Sequence, residues 1–284
     1  MKPAVVVQGP YAASYTEKAL LDYLECPGVD IVIFSTWIGF DGFKSGSLKH
    51  SAKLHVVLSS PPVHSGVQNV NYQLLSARSG IEKAVNLGCD IVIKLRSDFR
   101  YNIECILDNI SRNGKRILGI ESVSLVRNPY FICDFMFAGD ANNMLSLFNS
   151  PMQICGDYRK QTSNVVSVMK GIEHVNSLYE YSSEDVLNAE RYLLLNYLRN
   201  LGILIPKSFV HRMIIWPVIL REYFFLIPAK LVVVDTMKNY AVLENERFKT
   251  SYHKFINSDN AGLYVLLSAV LRRMKSQFKL LLLR

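Results

Sequence analysis

Ile91-Val92-Ile93-Lys94-Leu95-Arg96-Ser97-Asp98 runs from an apolar, β-branched stretch straight into a cluster of opposite charges. An unbroken apolar run closed by polar residues is the pattern of a buried strand that delivers its last side chains to a solvent-facing loop. Working back from it, Asn69 to Leu87 has helical spacing and stops at Gly88, a residue type suited to a helix C-terminus. Lys53 to Leu58, Asp30 to Phe34 and Ala4 to Val7 are further short apolar runs, and Tyr15 to Leu24 is another stretch of helical spacing. Strands that read as continuous Val/Ile runs, alternating with helices, predict a largely parallel sheet covered on both faces, a Rossmann-like α/β fold.

Beyond Asp98 the alternation fades. Tyr101 to Ile110 reads as a helix, Arg116 to Ile120 as a strand, and Tyr130 to Ala138 as a longer apolar stretch ending at Gly139. Glu184 to Leu201 has an acidic start, an apolar face and Gly202 just past its end, which predicts one more helix. From Ala261 to Arg284 the chain is leucine-rich and carries Arg272, Arg273, Lys275, Lys279 and Arg284 with no acidic residue. That composition suits either a helix lying in a membrane interface or a terminal helix with a solvated basic face. A membrane span is disfavoured, because Arg272, Arg273 and Lys275 fall mid-window.

The chain has 284 residues, half of them hydrophobic, enough for one large domain with an appendage. Its 32 Lys+Arg against 24 Asp+Glu give a formal net charge of +8. Such a balance favours phosphates, lipid headgroups or nucleic acid, and no nucleic-acid-binding motif is present, so no nucleic acid is expected. Cys26, Cys89, Cys105, Cys133 and Cys155 are odd in number and widely spaced, so they read as reduced thiols. The apolar stretch at the N-terminus is too short for a secretory signal, which makes a cytoplasmic location the expectation.

In an open α/β sheet, ligands sit outside the carboxyl ends of the strands, so the loops after Val7, Phe34, Leu58 and Leu95 should share a crevice. Gln8-Gly9-Pro10 offers a sharp turn and an amide able to contact a nucleobase or ribose, or simply an ordinary turn. Ser35-Thr36-Trp37 offers two hydroxyls and an aromatic face for a base or sugar, or a buried tryptophan supporting the sheet. Asp98 is placed to bind Mn²⁺ or Mg²⁺ with diphosphate oxygens completing the shell, and Arg96 could contact phosphate. A structural Arg96–Asp98 pair is the alternative, and Lys94 should point away from Leu95. Asp134 interrupts an apolar run, where a lone carboxylate is costly unless it is paired or lines a cavity. Glu190 reads by spacing as a surface ion pair, and His211, alone in a polar break, as structural. The phosphate-loop, dinucleotide, serine-hydrolase and zinc-protease motifs are absent, which leaves metal-assisted group transfer.

The order Val7-Gln8-Gly9-Pro10, Ser35-Thr36-Trp37, Asn71-Tyr72-Gln73 and Lys94-Leu95-Arg96-Ser97-Asp98 resembles the WavE lipopolysaccharide-synthesis family. Cys133-Asp134-Phe135-Met136-Phe137-Ala138-Gly139 and Ala189-Glu190-Arg191-Tyr192 resemble its later blocks. The resemblance implies a bacterial glycosyltransferase of surface polysaccharides with a GT-A-like nucleotide-diphosphosugar transferase fold. In that fold an Asp-x-Asp motif ends a central strand; here the first acidic position is Arg96, leaving Asp98 as the motif's ion ligand. The implied donor-binding set is Gln8, Gly9, Pro10, Ser35, Thr36, Trp37, Gln73, Lys94, Arg96 and Ser97, with Asp134 or Glu190 as the base. The expected organisation is a GT-A-like domain over 1–249, comprising a nucleotide-binding half (1–110) and an acceptor-side half (111–249), then a basic helical C-terminal tail over 250–284. That tail would dock the enzyme on the inner membrane, next to a lipid-linked oligosaccharide acceptor. A sugar nucleotidyltransferase and a non-catalytic scaffold of polysaccharide assembly are the rival readings.

Overall fold

A computed structural model describes residues 1–121, 130–153, 188–206 and 209–237. The N-terminal half follows the β/α alternation of the sequence: β1 (Pro3–Gln8), α1 (Ala13–Glu25), β2 (Ile31–Trp37), the single turn α2 (Gly46–Lys49), β3 (Leu54–Ser59), α3 (Val70–Asn86) and β4 (Ile91–Arg96). There follow β5 (Phe99–Tyr101), α4 (Ile103–Asn113), β6 (Ile117–Glu121), β7 (Cys133–Asp140) and α5 (Ala141–Phe148). The last described elements are α6 (Ala189–Asn200), α7 (Phe209–Tyr223), β8 (Phe224–Pro228), the short α8 (Ala229–Val232) and β9 (Val233–Thr236).

Seven strands form one sheet in the order β3-β2-β1-β4-β7-β6-β8. β1 pairs in parallel with β2 and β4, β2 with β3, and β6 with β8, whereas β7 runs antiparallel to both β4 and β6. The strand that breaks the parallel pattern is the long run in which alternation faded, and α5 follows it directly, capped by Asp140, whose side chain accepts from the Asn142 and Asn143 amides.

Both faces of the sheet are covered, as the unbroken apolar strands require. On one face Leu20 and Tyr23 of α1 and Ile103, Ile106 and Ile110 of α4 pack on Val5, Val7, Ile93 and Leu95. On the other, Leu74, Ala77 and Ile81 of α3, Met144 and Leu147 of α5, Leu194 of α6 and Trp216 of α7 pack on Val6, Ile33 and Val92. Gly80 lets α3 lie close to β1, since a Cβ there would come within 2.4 Å of Val6 Cγ1 and 3.1 Å of Ser35 Cβ.

The small ribbon β5–β9 is a separate antiparallel pair that brings the end of the described chain back to the sheet. It is held by charge: Arg100 pairs with Asp22 of α1 at 3.2 Å and with Asp235 at 2.8 Å, and Tyr15 Oη donates to Asp235 Oδ1 at 2.7 Å. The Met237 amide then donates to the Asp98 carbonyl at 3.0 Å, which fixes Met237 beside the end of β4.

The expected helix 184–201 is described from Ala189 to Asn200, and the expected helix 101–110 is shifted to Ile103–Asn113, where the Asn102 side chain accepts from the Cys105 amide as its cap. β2 runs through to Trp37 rather than ending at Phe34, because Ser35, Thr36 and Trp37 continue the ladder to Val57, Leu58 and Ser59. Cys26, Cys89, Cys105 and Cys133 are free thiols, and Cys155 lies outside the described residues. Among the described residues no helix is long and apolar enough to cross a membrane. The basic tail 250–284 also lies outside them.

Candidate functional site

The carboxyl ends of β1, β2 and β4 are stitched together by their own backbone. Gly9 N donates to Ser35 O at 3.1 Å, Ser97 N to Gln8 O at 2.9 Å, and Ser97 Oγ to Pro10 O at 2.9 Å. Gly9 has φ +131°, and a Cβ there would meet Ser97 Oγ at 2.5 Å, so this crossing admits only glycine. The stitched floor and the N-terminal turns of α3 enclose a cavity of about 640 Å³, within the range of small-molecule sites. Gln8, Gly9, Pro10, Trp37, Gln73, Arg96, Ser97 and Asp98 line it, all of them residues singled out in the sequence.

Gln68, Asn69, Tyr72, Ser76 and Met237 complete the lining and were not in the expected donor-binding set. Positions 72, 73 and 76 share one face of α3, so once that helix is placed beside the crevice its spacing identifies them. Gln68 and Asn69 take left-handed conformations, φ 51° and 62°, as they turn the chain into α3. Asn71 faces away: its amide donates to His64 O at 2.8 Å and Gln153 O at 2.7 Å, tethering the loop.

Two features of the lining point to a ligand. Gln8 is only 7% exposed, and its Oε1 is buried without a hydrogen-bond partner among the described residues. An amide oxygen removed from water and left unpaired is costly, and a ligand donor in the cavity would relieve that cost. Trp37 and Tyr72 meet edge to face at 5.0 Å, giving the opposite wall aromatic surface.

Among the described residues lining the cavity, Arg96 is the one that is basic. Its Nε donates to Asp98 Oδ1 at 2.9 Å and its Nη2 to Asp98 Oδ2 at 2.7 Å, a bidentate fork. Nη1 reaches Asp134 Oδ1 at 3.4 Å, and the guanidinium lies 5.3 Å from the Phe135 ring and 5.7 Å from the Phe99 ring.

Behind Arg96 is a buried charged cluster. Lys94 is 0% exposed, its Nζ donates to Asp134 O at 2.6 Å and lies 5.4 Å from the Phe148 ring. Burial pulls this ammonium down to about 8, against the opposing pull of the Asp134 charge. Asp134 is 1% exposed, and its Oδ2 has no hydrogen-bond partner among the described residues. Glu190, in the first turn of α6, is pushed up to about 7 by burial and then by Asp134.

Five expected site residues therefore stand off the cavity wall. Ser35 is fully buried and donates to Ser76 O at 2.7 Å, bracing α3, and Thr36 is buried with it. Lys94 and Asp134 lie in the sheet interior behind Arg96. Glu190 does not line the cavity either; it is half-buried within electrostatic reach of Asp134 rather than in a surface ion pair. His211 is exposed on α7 and takes no part in the cavity.

A divalent ion fits these residues poorly. Both oxygens of Asp98 are engaged by Arg96, and among the described residues no group of three His, Cys, Asp or Glu side chains is arranged to hold a metal.

No family model matches the sequence, and no curated protein sequence matches it. Among solved structures, HddC from Yersinia pseudotuberculosis complexed with GMP-PN is similar at 13% identity and TM-score 0.33, over 54% of this chain and 81% of that one. A 4-diphosphocytidyl-2C-methyl-D-erythritol synthase is similar at 11% identity and TM-score 0.34, over 68% of this chain and 99% of that one. At this distance the chain's own residues carry the functional reading.

Proposed function

We propose that this chain is a glycosyltransferase that binds a nucleoside diphosphate sugar in the cavity at the ends of β1, β2 and β4. The observation that carries the reading is the Gln8 amide oxygen, without a hydrogen-bond partner among the described residues, set in one cavity with the Trp37 and Tyr72 rings and the Arg96 guanidinium. These are an amide for a base or ribose edge, aromatic surface for a planar group and a cation for phosphate. The resemblance to the WavE family and the GT-A-like layout of strand-end motifs support the same donor class.

In this reading the acceptor hydroxyl attacks the anomeric carbon, the bond from that carbon to the diphosphate breaks, and the electron pair leaves with the nucleoside diphosphate. Arg96 offsets the charge that develops on the leaving group. The acceptor proton goes to a carboxylate. Glu190 suits this task better than Asp134, because it is partly exposed where Asp134 is sealed in, and its raised proton affinity matches neutral pH. The acceptor would be a lipid-linked, lipopolysaccharide or capsule oligosaccharide, reached at the inner membrane surface through the basic tail over 250–284.

Sugar nucleotidyl transfer is the second reading, and the same cavity volume and Arg96 would serve a nucleoside triphosphate. The β1 loop favours glycosyl transfer: Gln8-Gly9-Pro10-Tyr11-Ala12-Ala13 has no basic residue to hold a triphosphate. A panel of nucleotide sugars and nucleoside triphosphates read by thermal shift, followed by product analysis, separates the readings. Stabilisation by a nucleotide sugar, with nucleoside diphosphate released on adding acceptor, is the expected result. Pyrophosphate release from a nucleoside triphosphate and a sugar 1-phosphate would make the chain a nucleotidyltransferase, and no response to any nucleotide would overturn both.

A further inference from the structure

We propose that the donor diphosphate is met by the Arg96 guanidinium in place of a divalent ion, and that Asp98 is a positioning residue for Arg96 rather than a metal ligand. The inference rests on the donor reading above.

Its first ground is the fork. Arg96 Nε and Nη2 donate to the two different oxygens of Asp98, so the carboxylate at the end of β4 is already matched edge to edge by a fixed cation. An ion on the same oxygens would sit against that guanidinium, and like charges at such range repel.

The second ground is the lack of a replacement ligand set. Asp134, the next carboxylate along, is sealed from solvent and directed at Arg96 through Oδ1. Among the described residues lining the cavity no other is acidic. Magnesium and manganese are held beside phosphates by one or two free carboxylates with water completing the shell, and the one carboxylate described on this wall is already taken by Arg96.

The third ground is the charge balance. The strand-end amides of Gly9 and Ser97 donate to backbone carbonyls, and the Ser97 hydroxyl donates to Pro10 O. They are spent on holding the floor together, so among the described residues the positive charge on the cavity wall comes from Arg96. Asp98 on one edge, Asp134 at Nη1 and the Phe99 and Phe135 rings against its plane fix that guanidinium in place before any ligand arrives. Such preorganisation is what a bound ion would otherwise provide.

The test titrates UDP and GDP into the full chain by calorimetry, once in excess EDTA and once in excess Mn²⁺, with Mn²⁺ alone followed by its paramagnetic resonance signal. At least one nucleotide should bind with affinities that agree within about twofold in the two conditions, and the free Mn²⁺ signal should be unchanged by the protein. Asp98→Asn should weaken that nucleotide roughly tenfold in EDTA and in Mn²⁺ alike, and Arg96→Gln should weaken it at least as much. Combining the two should add little to Arg96→Gln alone, since Asp98 acts through Arg96. Purely structural damage would instead lower the unfolding temperature of Asp98→Asn and add to the loss in the double variant. Should a variant not fold, the wild-type comparison of EDTA with Mn²⁺ decides by itself. Nucleotide binding that requires Mn²⁺, with the requirement lost in Asp98→Asn, would overturn this inference and leave the donor reading standing. Failure of both nucleotides in both conditions, with none of the wider panel binding, would take down the donor reading and this inference with it.

Discussion

Lys94→Met tests whether the cluster behind the cavity is as dry as its burial indicates. Lys94 is fully buried, its Nζ donates to Asp134 O, and its folded proton affinity is drawn from 10.5 down to about 8, by burial first. The sign follows from proton counts: between the folded and unfolded values the unfolded chain holds more protons, so stability rises with pH across that window. Below the folded value the penalty for keeping Lys94 charged is present in full. It amounts to about 3 kcal/mol, since each tenfold loss of proton affinity on folding costs about 1.4 kcal/mol. Integrated from about pH 7 to about pH 9.5, the wild type should gain about 2 kcal/mol from this group alone. Methionine keeps the length and loses the charge, so the variant lacks that gain while sharing every other titration. At about pH 7 the relieved penalty is offset by the lost charged hydrogen bond, about 1.5–3 kcal/mol, so the two proteins should be close in stability. Urea unfolding of both at steps across this range gives the double difference directly. A difference between wild type and variant that stays flat across the range would refute a desolvated ammonium at this position.

Gly80→Ala should destabilise by about 1–3 kcal/mol in urea, because its Cβ would come within 2.4 Å of Val6 Cγ1, outweighing the roughly 1 kcal/mol alanine adds to a helix. A neutral or stabilising result would mean that α3 can lift off β1 without cost. Gln8→Leu should change stability by less than about 1 kcal/mol, since the amide oxygen has no hydrogen-bond partner among the described residues to lose, while nucleotide affinity falls roughly tenfold. If stability fell while affinity held, Gln8 would be a structural residue. Within the proposed function, the transfer rate should rise with pH through about 7 as Glu190 loses its proton, and Glu190→Gln should be slow and flat over the same range. A variant that keeps the wild-type profile would assign the base elsewhere.

Strand position was legible because β1, β2 and β4 are buried on both faces and so read as unbroken apolar runs. The ends of β1 and β4, and with them Gln8, Arg96 and Asp98, followed from those runs, and Trp37 was placed just beyond a β2 read three residues short. Direction was not legible: β7 is as apolar as its neighbours, and nothing in its composition says that it runs against β4. Ser35 and Thr36 read as loop residues because their hydroxyls suit a crevice, yet pairing with Val57 and Leu58 carries the strand past them and turns both inward. Lys94 stands in the donor-binding set that the resemblance implies, yet the alternation legible in the sequence, which sends Leu95 to one face, sends Lys94 into the opposite core, against Phe148. Gln68 and Asn69 escaped notice because a left-handed turn of two non-glycine residues has no sequence signature as clear as a glycine.

Arg96 divides the site into two compartments, and this bears on how donor and base would communicate. One edge of the guanidinium holds Asp98 at the cavity, and its remaining terminal nitrogen faces Asp134, with Glu190 within electrostatic reach beyond. Burial first, and then the neighbouring Asp134, favour the neutral form of Glu190 while the site is empty. On the proposed mechanism, negative charge growing on the leaving diphosphate would draw on the same guanidinium that lowers the proton affinity of Glu190, and so would raise that affinity as the acceptor gives up its proton. Leaving-group departure and proton uptake would then be coupled through one side chain. Arg96→Lys is the substitution that separates them, because it keeps a charge at the cavity but cannot make the fork to Asp98 and reach Asp134 together. It should hold nucleotide affinity within about tenfold and lower the transfer rate by a larger factor; an equal loss in both would mean that Arg96 serves the donor alone.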